Sequence, residues 1–352
     1  MKERLKKLMS LLNSDNVIGV DLGTTSTVIY VKGSGIKLRE PSVVSVIKEN
    51  GINIPYLFGQ KAEDMYGKTP INITVIKPMQ DGVIADMSIA QKMIEHFIQK
   101  TKAISNILQK PTIIISVPFG ATPVEISTIQ SAAERTGAKE VFLIYESIAA
   151  AIGSGLRIND PVGSVVVDIG GGTTEVTALS LGGIVCGNAI KVAGNAIKNA
   201  IIEYVKQSNG ILIGDGMAEK IKREIGVAYL RKNEENTKIR AMGRSIKDGS
   251  PTTFSISKSD VAEALAESVA KIVDVVKLTL ESTPPELSVD IVDRGIMLTG
   301  GGVLLKNLDY VISKAVKLPV FTTPNTLDAV IRGIGVICEN TKQYSHILFK
   351  QS

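Results

Sequence analysis

The stretch Val165-Val166-Val167-Asp168-Ile169-Gly170-Gly171-Gly172-Thr173-Thr174-Glu175 decides how this chain is read. A β-branched run that enters glycines predicts a buried strand ending in a tight turn. Glycines let the backbone approach a ligand closely, and consecutive N–H groups in such a turn form a concave anion site. Thr173 and Thr174 add hydroxyl donors. Asp168, at the strand end, supplies an acidic oxygen for a hydrated cation. The stretch reads as a phosphate-and-metal turn. Gly-rich turns also close plain hairpins, so one turn alone does not choose between the two.

A second stretch has the same grammar. Val17-Ile18-Gly19-Val20-Asp21-Leu22-Gly23-Thr24-Thr25-Ser26-Thr27-Val28-Ile29-Tyr30 runs from apolar residues through an aspartate to Gly and Thr, then returns as a strand. Two related phosphate turns, one in each half of the chain, imply a duplicated α/β unit with nucleotide phosphates clamped between the halves. No Gly-x-x-x-x-Gly-Lys-Ser/Thr occurs, which excludes a P-loop enzyme. The first turn lacks Gly-x-Gly-x-x-Gly, which argues against a dinucleotide-binding dehydrogenase.

Composition bounds the rest. A chain of 352 residues with 44% apolar and 21% charged side chains is globular and long enough for two cores. A net charge of +5 is too weak to indicate nucleic acid, and the absence of Trp argues against a base-stacking platform. Cys186 and Cys338 have apolar neighbours and read as buried free thiols of a reducing compartment. His96 and His346 do not make a metal site. No apolar run approaches the ~18 residues a membrane span needs.

Outside the turns, Leu5, Leu8, Met9 and Leu12 share one helical face, with Lys2, Arg4, Lys6 and Lys7 around it. Such a segment suits an anionic membrane surface; it also suits a helix packed on the protein. The apolar loop with Ile104, Ile107 and Leu108 either tucks against the body or dips into lipid. Gly35 to Val46 reads as a strand with an edge-tolerated proline, Pro41. Asp86 to Lys102 and Pro123 to Thr136 read as helices. The strand Val141 to Ile144 delivers Tyr145-Glu146-Ser147 to its carboxyl end, where open α/β sheets carry catalytic groups. Glu146 can there polarise a water, or simply satisfy a helix dipole. Gly194 lies in the opening of a helix that runs to Lys206. Glu219, Lys222 and Arg223 share a face on the next helix, either solvated or holding a ribose and an adenine edge. Lys258 to Leu280 is a long helix with Ser259-Asp260 capping its start. Gly300, Gly301 and Gly302 follow a third strand and let the backbone lie flat against a planar base. Glu339 to Ser352 reads as a loose tail or a weak surface contact.

Together these residues resemble the actin-type ATPase superfamily (actin, heat-shock chaperones, sugar kinases), and within it the bacterial actin family MreB. The resemblance rests on Asp21-Leu22-Gly23-Thr24, Val117-Pro118-Phe119-Gly120, Asp168 to Glu175, Thr299-Gly300-Gly301-Gly302 and Gly333-Ile334-Gly335. Asp81 to Asp86, Ala149 to Gly153, Ser180 to Val185 and Thr283 to Leu287 match the family outside the nucleotide site. The match runs from about Asn16 to Asn340.

The resemblance implies an actin-like α/β fold: two similar halves, each a mixed five-stranded sheet with flanking helices, around a nucleotide cleft, with smaller inserted subdomains. The boundaries expected are an amphipathic segment 1–14; subdomain IA at 15–46, 80–155 and 321–340; IB at 47–79; IIA at 156–192 and 252–320; IIB at 193–251; and a tail 341–352. It implies ATP or ADP with Mg²⁺, the ion held through water by Asp21 and Asp168. Gly23, Thr24, Thr25, Gly170, Gly171, Gly172 and Thr173 would bind phosphates, and Gly194 would also contact the nucleotide. Glu219, Lys222 and Arg223 would take the ribose and adenine, and Gly300 to Gly302 the adenosine. Glu146, Thr173 and Asp168 would carry hydrolysis. It also implies homopolymers of paired protofilaments on the anionic inner face of the cell membrane, with other filament paralogues or membrane shape proteins as further partners. Membrane contact would fall on Leu5, Leu8, Met9 and Leu12 and on Ile104, Ile107 and Leu108.

Three departures stand out. Tyr145-Glu146-Ser147 replaces the family's usual Glu-Glu-Pro, Ser26 replaces Asn, and Asn195 replaces Asp. They bear on hydrolysis rate and affinity more than on fold, and keep open a scaffold that binds ATP without hydrolysing it. A small-molecule kinase shares the turns but not the family wording elsewhere. A heat-shock chaperone would need a large substrate domain after about residue 340. The lean toward Ile, Lys and Asn suggests an AT-rich genome, and with it a wall-less cell.

Overall fold

The computed structural model describes residues 16–49, 51–80, 83–105, 107 and 109–351. They cluster into two compact units: the described residues up to Val162 with Leu179–Ile184 and those from Leu327 onward, and Gly163–Ala178 with Val185–Thr326.

The first unit is built on strands β1 (Val17–Leu22), β2 (Ser26–Val31), β3 (Gly35–Pro41), β9 (Thr112–Val117) and β10 (Glu140–Tyr145), in the order β10-β9-β1-β2-β3. β1, β9 and β10 are parallel, whereas β2 and β3 pair antiparallel. Every residue of β9 is buried, the signature of a strand covered on both faces. Pro41 ends the edge strand, where a missing N–H costs no ladder bond. Between β3 and β9 lie a small sheet of β4 (Val44–Glu49), β5 (Ile52–Phe58) and β6 (Ile73–Ile76), the short helix α1 (Gln60–Glu63), and the hairpin β7 (Met79–Gln80) and β8 (Val83–Ile84). Helix α2 (Met87–Ile104) is capped by Asp86, whose carboxylate accepts from the Ile89 N–H. Helix α3 (Pro123–Glu134) starts with Pro at its first turn and a Thr122–Glu125 capping box. Helix α4 (Glu146–Gly153) follows β10 directly.

The second unit repeats the plan. Its sheet has the order β13-β12-β11-β17-β18, with β11 (Ser164–Ile169), β12 (Thr174–Ser180), β13 (Gly183–Ile190), β17 (Ile296–Thr299) and β18 (Val320–Thr322). β11, β17 and β18 are parallel, as β1, β9 and β10 are. Asp21 and Asp168 are each the penultimate residue of the central strand. The remaining elements are α5 (Gly194–Asn209), β14 (Ile211–Leu212), α6 (Asp215–Ile225), β15 (Lys238–Ser245), β16 (Pro251–Ser257), α7 (Lys258–Glu281), α8 (Pro285–Arg294) and α9 (Leu308–Val316). The cap of α7 is Ser257, in a capping box with Asp260, rather than Ser259. The reason is register: only Ser257 stands three residues before the acid whose N–H it must reach.

Helix α10 (Ala329–Glu339) returns to the first unit. Gly333 lies inside this helix and meets α4 at a crossing of two glycines. A Cβ on Gly333 would sit 1.8 Å from the Ala149 carbonyl oxygen, and one on Gly153 would sit 1.8 Å from that of Ala329. Gly335 faces the Tyr30 ring in the same way. The tail is not loose: Leu143 and Phe349 exchange both backbone hydrogen bonds, at 2.8 and 3.0 Å. Cys338 is buried and Cys186 half-buried, both free.

Candidate nucleotide site

In the first unit, the carboxyl ends of β1, β9 and β10 bring Asp21, Ser116 and Glu146 to one sheet edge. β1 pairs with β9 as far as Val20–Ile115, so Asp21 and Ser116 each stand one residue further on, and β10 pairs with β9 as far as Tyr145–Val117, with Glu146 the next residue. Ser116 Oγ donates to Asp21 Oδ1 at 3.4 Å. The turn Gly23–Thr25 is closed by Gly23 N–H to the Ser26 carbonyl, 3.1 Å. Ser42 braces it from outside, donating its hydroxyl to the Gly23 carbonyl at 2.6 Å and its N–H to Thr25. Glu146 is the first residue of α4, where the helix dipole favours a carboxylate. Ser147 beside it is buried, and its hydroxyl has no hydrogen-bond partner.

The second unit gathers more of the expected residues. The turn after Asp168 is closed by Gly170 N–H to the Thr173 carbonyl, 2.9 Å. The start of α5 presses onto it: Gly194 N–H bonds the Gly170 carbonyl at 3.1 Å and Asn195 N–H the Gly171 carbonyl at 2.7 Å. A Cβ on Gly194 would lie 3.3 Å from the Gly170 oxygen, a tight contact with that turn. Thr174 Oγ1 donates to Val192 O at 2.6 Å and ties the other side. On α6, Lys222 pairs with Glu219 at 2.7 Å, reaches the Gly194 carbonyl at 3.5 Å, and leaves Arg223 to bond Glu219 at 3.2 Å. Burial works to raise the Glu219 carboxyl, but Lys222 and Arg223 outweigh it and hold it below its usual range. Arg223 itself is largely exposed.

Asp168 is buried and accepts a hydrogen bond from Thr299 Oγ1 at 2.7 Å. Burial pushes its carboxyl above the ordinary range, and the Thr299 hydroxyl pulls it part of the way back. Gly300 and Gly302 pack on the same strand end: Cβ atoms there would lie 2.4 Å from the Ile169 oxygen and 2.2 Å from Ile169 Cγ2. Their missing side chains serve a contact inside the unit. Gly300 also has φ of 85°, a region that favours glycine.

Among the described residues no group of three or more His, Cys, Asp or Glu gathers at one point. A buried carboxylate held by one hydroxyl still fits a cation that keeps water in its shell, as Mg²⁺ does. Of the membrane candidates, Leu5, Leu8, Met9, Leu12 and Leu108 lie outside the described residues. Ile104, the last residue of α2, is 53% exposed, while Ile107 packs against the first unit's core. No described helix is long and apolar enough to cross a membrane. Ser116, Ser42 and Thr299 did not emerge as site residues from sequence. Only Thr299 carried a signal, its place before three glycines.

The family model for MreB/Mbl protein matches residues 15–346. The cell shape-determining protein MreB of Escherichia coli K12 is 43% identical over 349 residues, covering 99% of both chains. The crystal structure of MreB5 of Spiroplasma citri bound to ADP superposes with a TM-score of 0.87 at 34% identity, covering 95% of this chain and 99% of that one. The same protein bound to AMPPNP gives 0.86 at 33%, with the same coverage. The fold is the actin-like one, and the chain belongs to the MreB/Mbl family.

Proposed function

We propose that this chain is an ATP-binding, slowly ATP-hydrolysing bacterial actin that polymerises on the inner face of the cell membrane and helps set cell shape or movement. One observation carries the reading: both five-stranded sheets end their central strand in an aspartate followed by a hydrogen-bonded glycine–threonine turn. A relative that is 34% identical over 95% of the chain was solved with ADP, and with AMPPNP at 33% identity, which supports a nucleotide as the ligand of these turns.

In this reading the amides and hydroxyls of Gly23–Thr25 and Gly170–Thr173 hold the phosphates. Asp21 and Asp168 hold Mg²⁺ through water. The ion, when bound, neutralises charge on the transferring phosphoryl group. Thr299 fixes the Asp168 carboxylate, and Ser116 does the same for Asp21. Gly194, Glu219, Lys222, Arg223 and Gly300 to Gly302 take the sugar and base. Glu146 orients the attacking water, with Thr173 helping to place it. This is phosphoryl transfer by positioning and fixed dipoles. Membrane contact belongs to the 1–14 segment.

A second reading, a filament protein that binds ATP and does not hydrolyse it, draws on the flanks of Glu146, where Tyr145 and a buried, unpartnered Ser147 hydroxyl stand. Sedimentation with ATP, ADP and no nucleotide, run beside phosphate release, tests both. Nucleotide-dependent pelleting with release supports the first reading. Pelleting without release supports the second. A monomer under all three conditions refutes polymerisation. Deleting Met1–Leu12 should weaken co-pelleting with anionic liposomes and leave ATP binding intact; unchanged co-pelleting would remove that segment as the anchor.

A further inference from the structure

The segment after α10 has a use that rests on the hydrolysis reading above. β10 is an edge strand, and its unpaired side would invite pairing with another chain. Phe349, in the segment after α10, pairs with that side at one bridge. Leu143 and Phe349 exchange both backbone hydrogen bonds. Lys350 pairs with Glu140 at the start of β10, and Gln351 N–H donates to Gln130 Oε1 at 2.9 Å. Upstream, His346 Nε2 lies 3.0 Å from Asn159 Oδ1.

Pairing Phe349 with Leu143 puts its ring beside the next residue on the same face of β10, which is Tyr145. The Tyr145 and Phe349 centroids lie 4.9 Å apart with a 32° tilt. Tyr145 also meets Phe119 edge-on at 5.9 Å and 66°. Phe119 belongs to the connecting segment after β9, so two separate elements grip the Tyr145 ring. Tyr145 is the cap residue of α4, at φ −69° and ψ 136°, and makes no side-chain cap bond. Its backbone leads straight into Glu146. The ring contacts therefore stand where a capping side chain would otherwise fix the entry of the helix.

We propose that Phe349 is a positioning residue for hydrolysis: the docked segment clamps Tyr145 between Phe349 and Phe119 and so sets the direction in which Glu146 leaves the strand. A misplacement of about 1 Å in a water-orienting group can cost up to roughly a hundredfold in rate.

The test measures ATP affinity and single-turnover phosphate release on the full chain. Phe349→Ala should lower release about tenfold, a loss within that range, with ATP affinity unchanged within about twofold. Phe349→Tyr, which keeps the ring, should restore the parent rate. Lys350→Ala, which removes the Glu140 pair and leaves the rings, should release phosphate as the parent does. Phe349→Leu provides the milder variant should the alanine change prevent folding, and is judged by the same criteria. A lower melting temperature with an unchanged rate would overturn the proposal, as would equal losses in rate and affinity. A parent that releases no phosphate would overturn the hydrolysis reading and this inference with it; a parent that does, with Phe349→Ala matching it, overturns this inference alone.

Discussion

Gly333→Ala is the sharpest test of how α4 is held. The added methyl would meet the Ala149 carbonyl oxygen at 1.8 Å, its carbon at 2.6 Å and the Gly153 nitrogen at 3.0 Å. All three are backbone atoms, so no rotamer change relieves the clash. Carbon–oxygen contacts normally lie at about 3.3–3.6 Å, so the two helices must part by roughly 1.5 Å. Overpacking of this kind costs up to about 3 kcal/mol. Alanine regains about 1 kcal/mol of helix propensity over glycine. The net loss is about 2 kcal/mol, or a fall in melting temperature of roughly 4–8 °C for a unit of this size. Gly216→Ala is the control. Gly216 lies in α6 with nothing within 4 Å of the added Cβ, so propensity acts alone and stability rises by up to about 1 kcal/mol. Thermal unfolding followed by circular dichroism reads both. Because α4 begins at Glu146, the separation should also slow phosphate release. A Gly333→Ala protein that melts with or above the parent would refute the crossing as the element that seats α4.

Thr299→Val removes the hydroxyl that Asp168 accepts from; Mg-nucleotide affinity should fall roughly 10- to 100-fold, and titration at fixed Mg²⁺ checks it. Glu146→Ala should reduce phosphate release by about a hundredfold or more while ATP binding persists; an equal rate would remove Glu146 as the water-orienting group. Gly300→Ala places a methyl 2.4 Å from the Ile169 oxygen at a φ of 85°; a loss of at least about 1–2 kcal/mol should appear in urea unfolding. Tyr30 is raised from 10.0 to about 12, first by burial and then by its hydrogen bond to Glu339. A folded value above the unfolded one contributes stability that is whole below pH 10 and is lost as pH rises toward 12. Tyr30→Phe should flatten that part of the alkaline loss, as compared by urea unfolding at pH 9 and pH 11.5.

Much of the fold was legible because it is written locally. The Val-rich runs at Val17 and Val165 are buried strands, Pro123 opens a helix, and Pro41 lies on an edge strand, although the single strand read over Gly35 to Val46 divides after Pro41 into two strands of different sheets. The paired aspartates were readable because each needs the same short grammar of strand, acid and glycine. The supports of those aspartates were not. Ser116 sits among apolar residues inside β9, and only the parallel register with β1 brings it to Asp21. Ser42 reads as an ordinary strand residue until its hydroxyl is seen on Gly23. Ser257 lost the cap of α7 to Ser259 in the sequence reading, since a difference of two residues is settled by backbone geometry.

By itself, then, the amino-acid order determined the duplicated α/β plan, the two aspartate–glycine turns and the family wording around them, since periodicity and turn chemistry act between near neighbours. Tertiary structure decided that Gly333 belongs to Ala149, that Gly300 belongs to Ile169, and that Phe349 lies against Tyr145. Those contacts join residues far apart in the chain, and their requirement is a distance between two backbones or two rings, which no local pattern encodes.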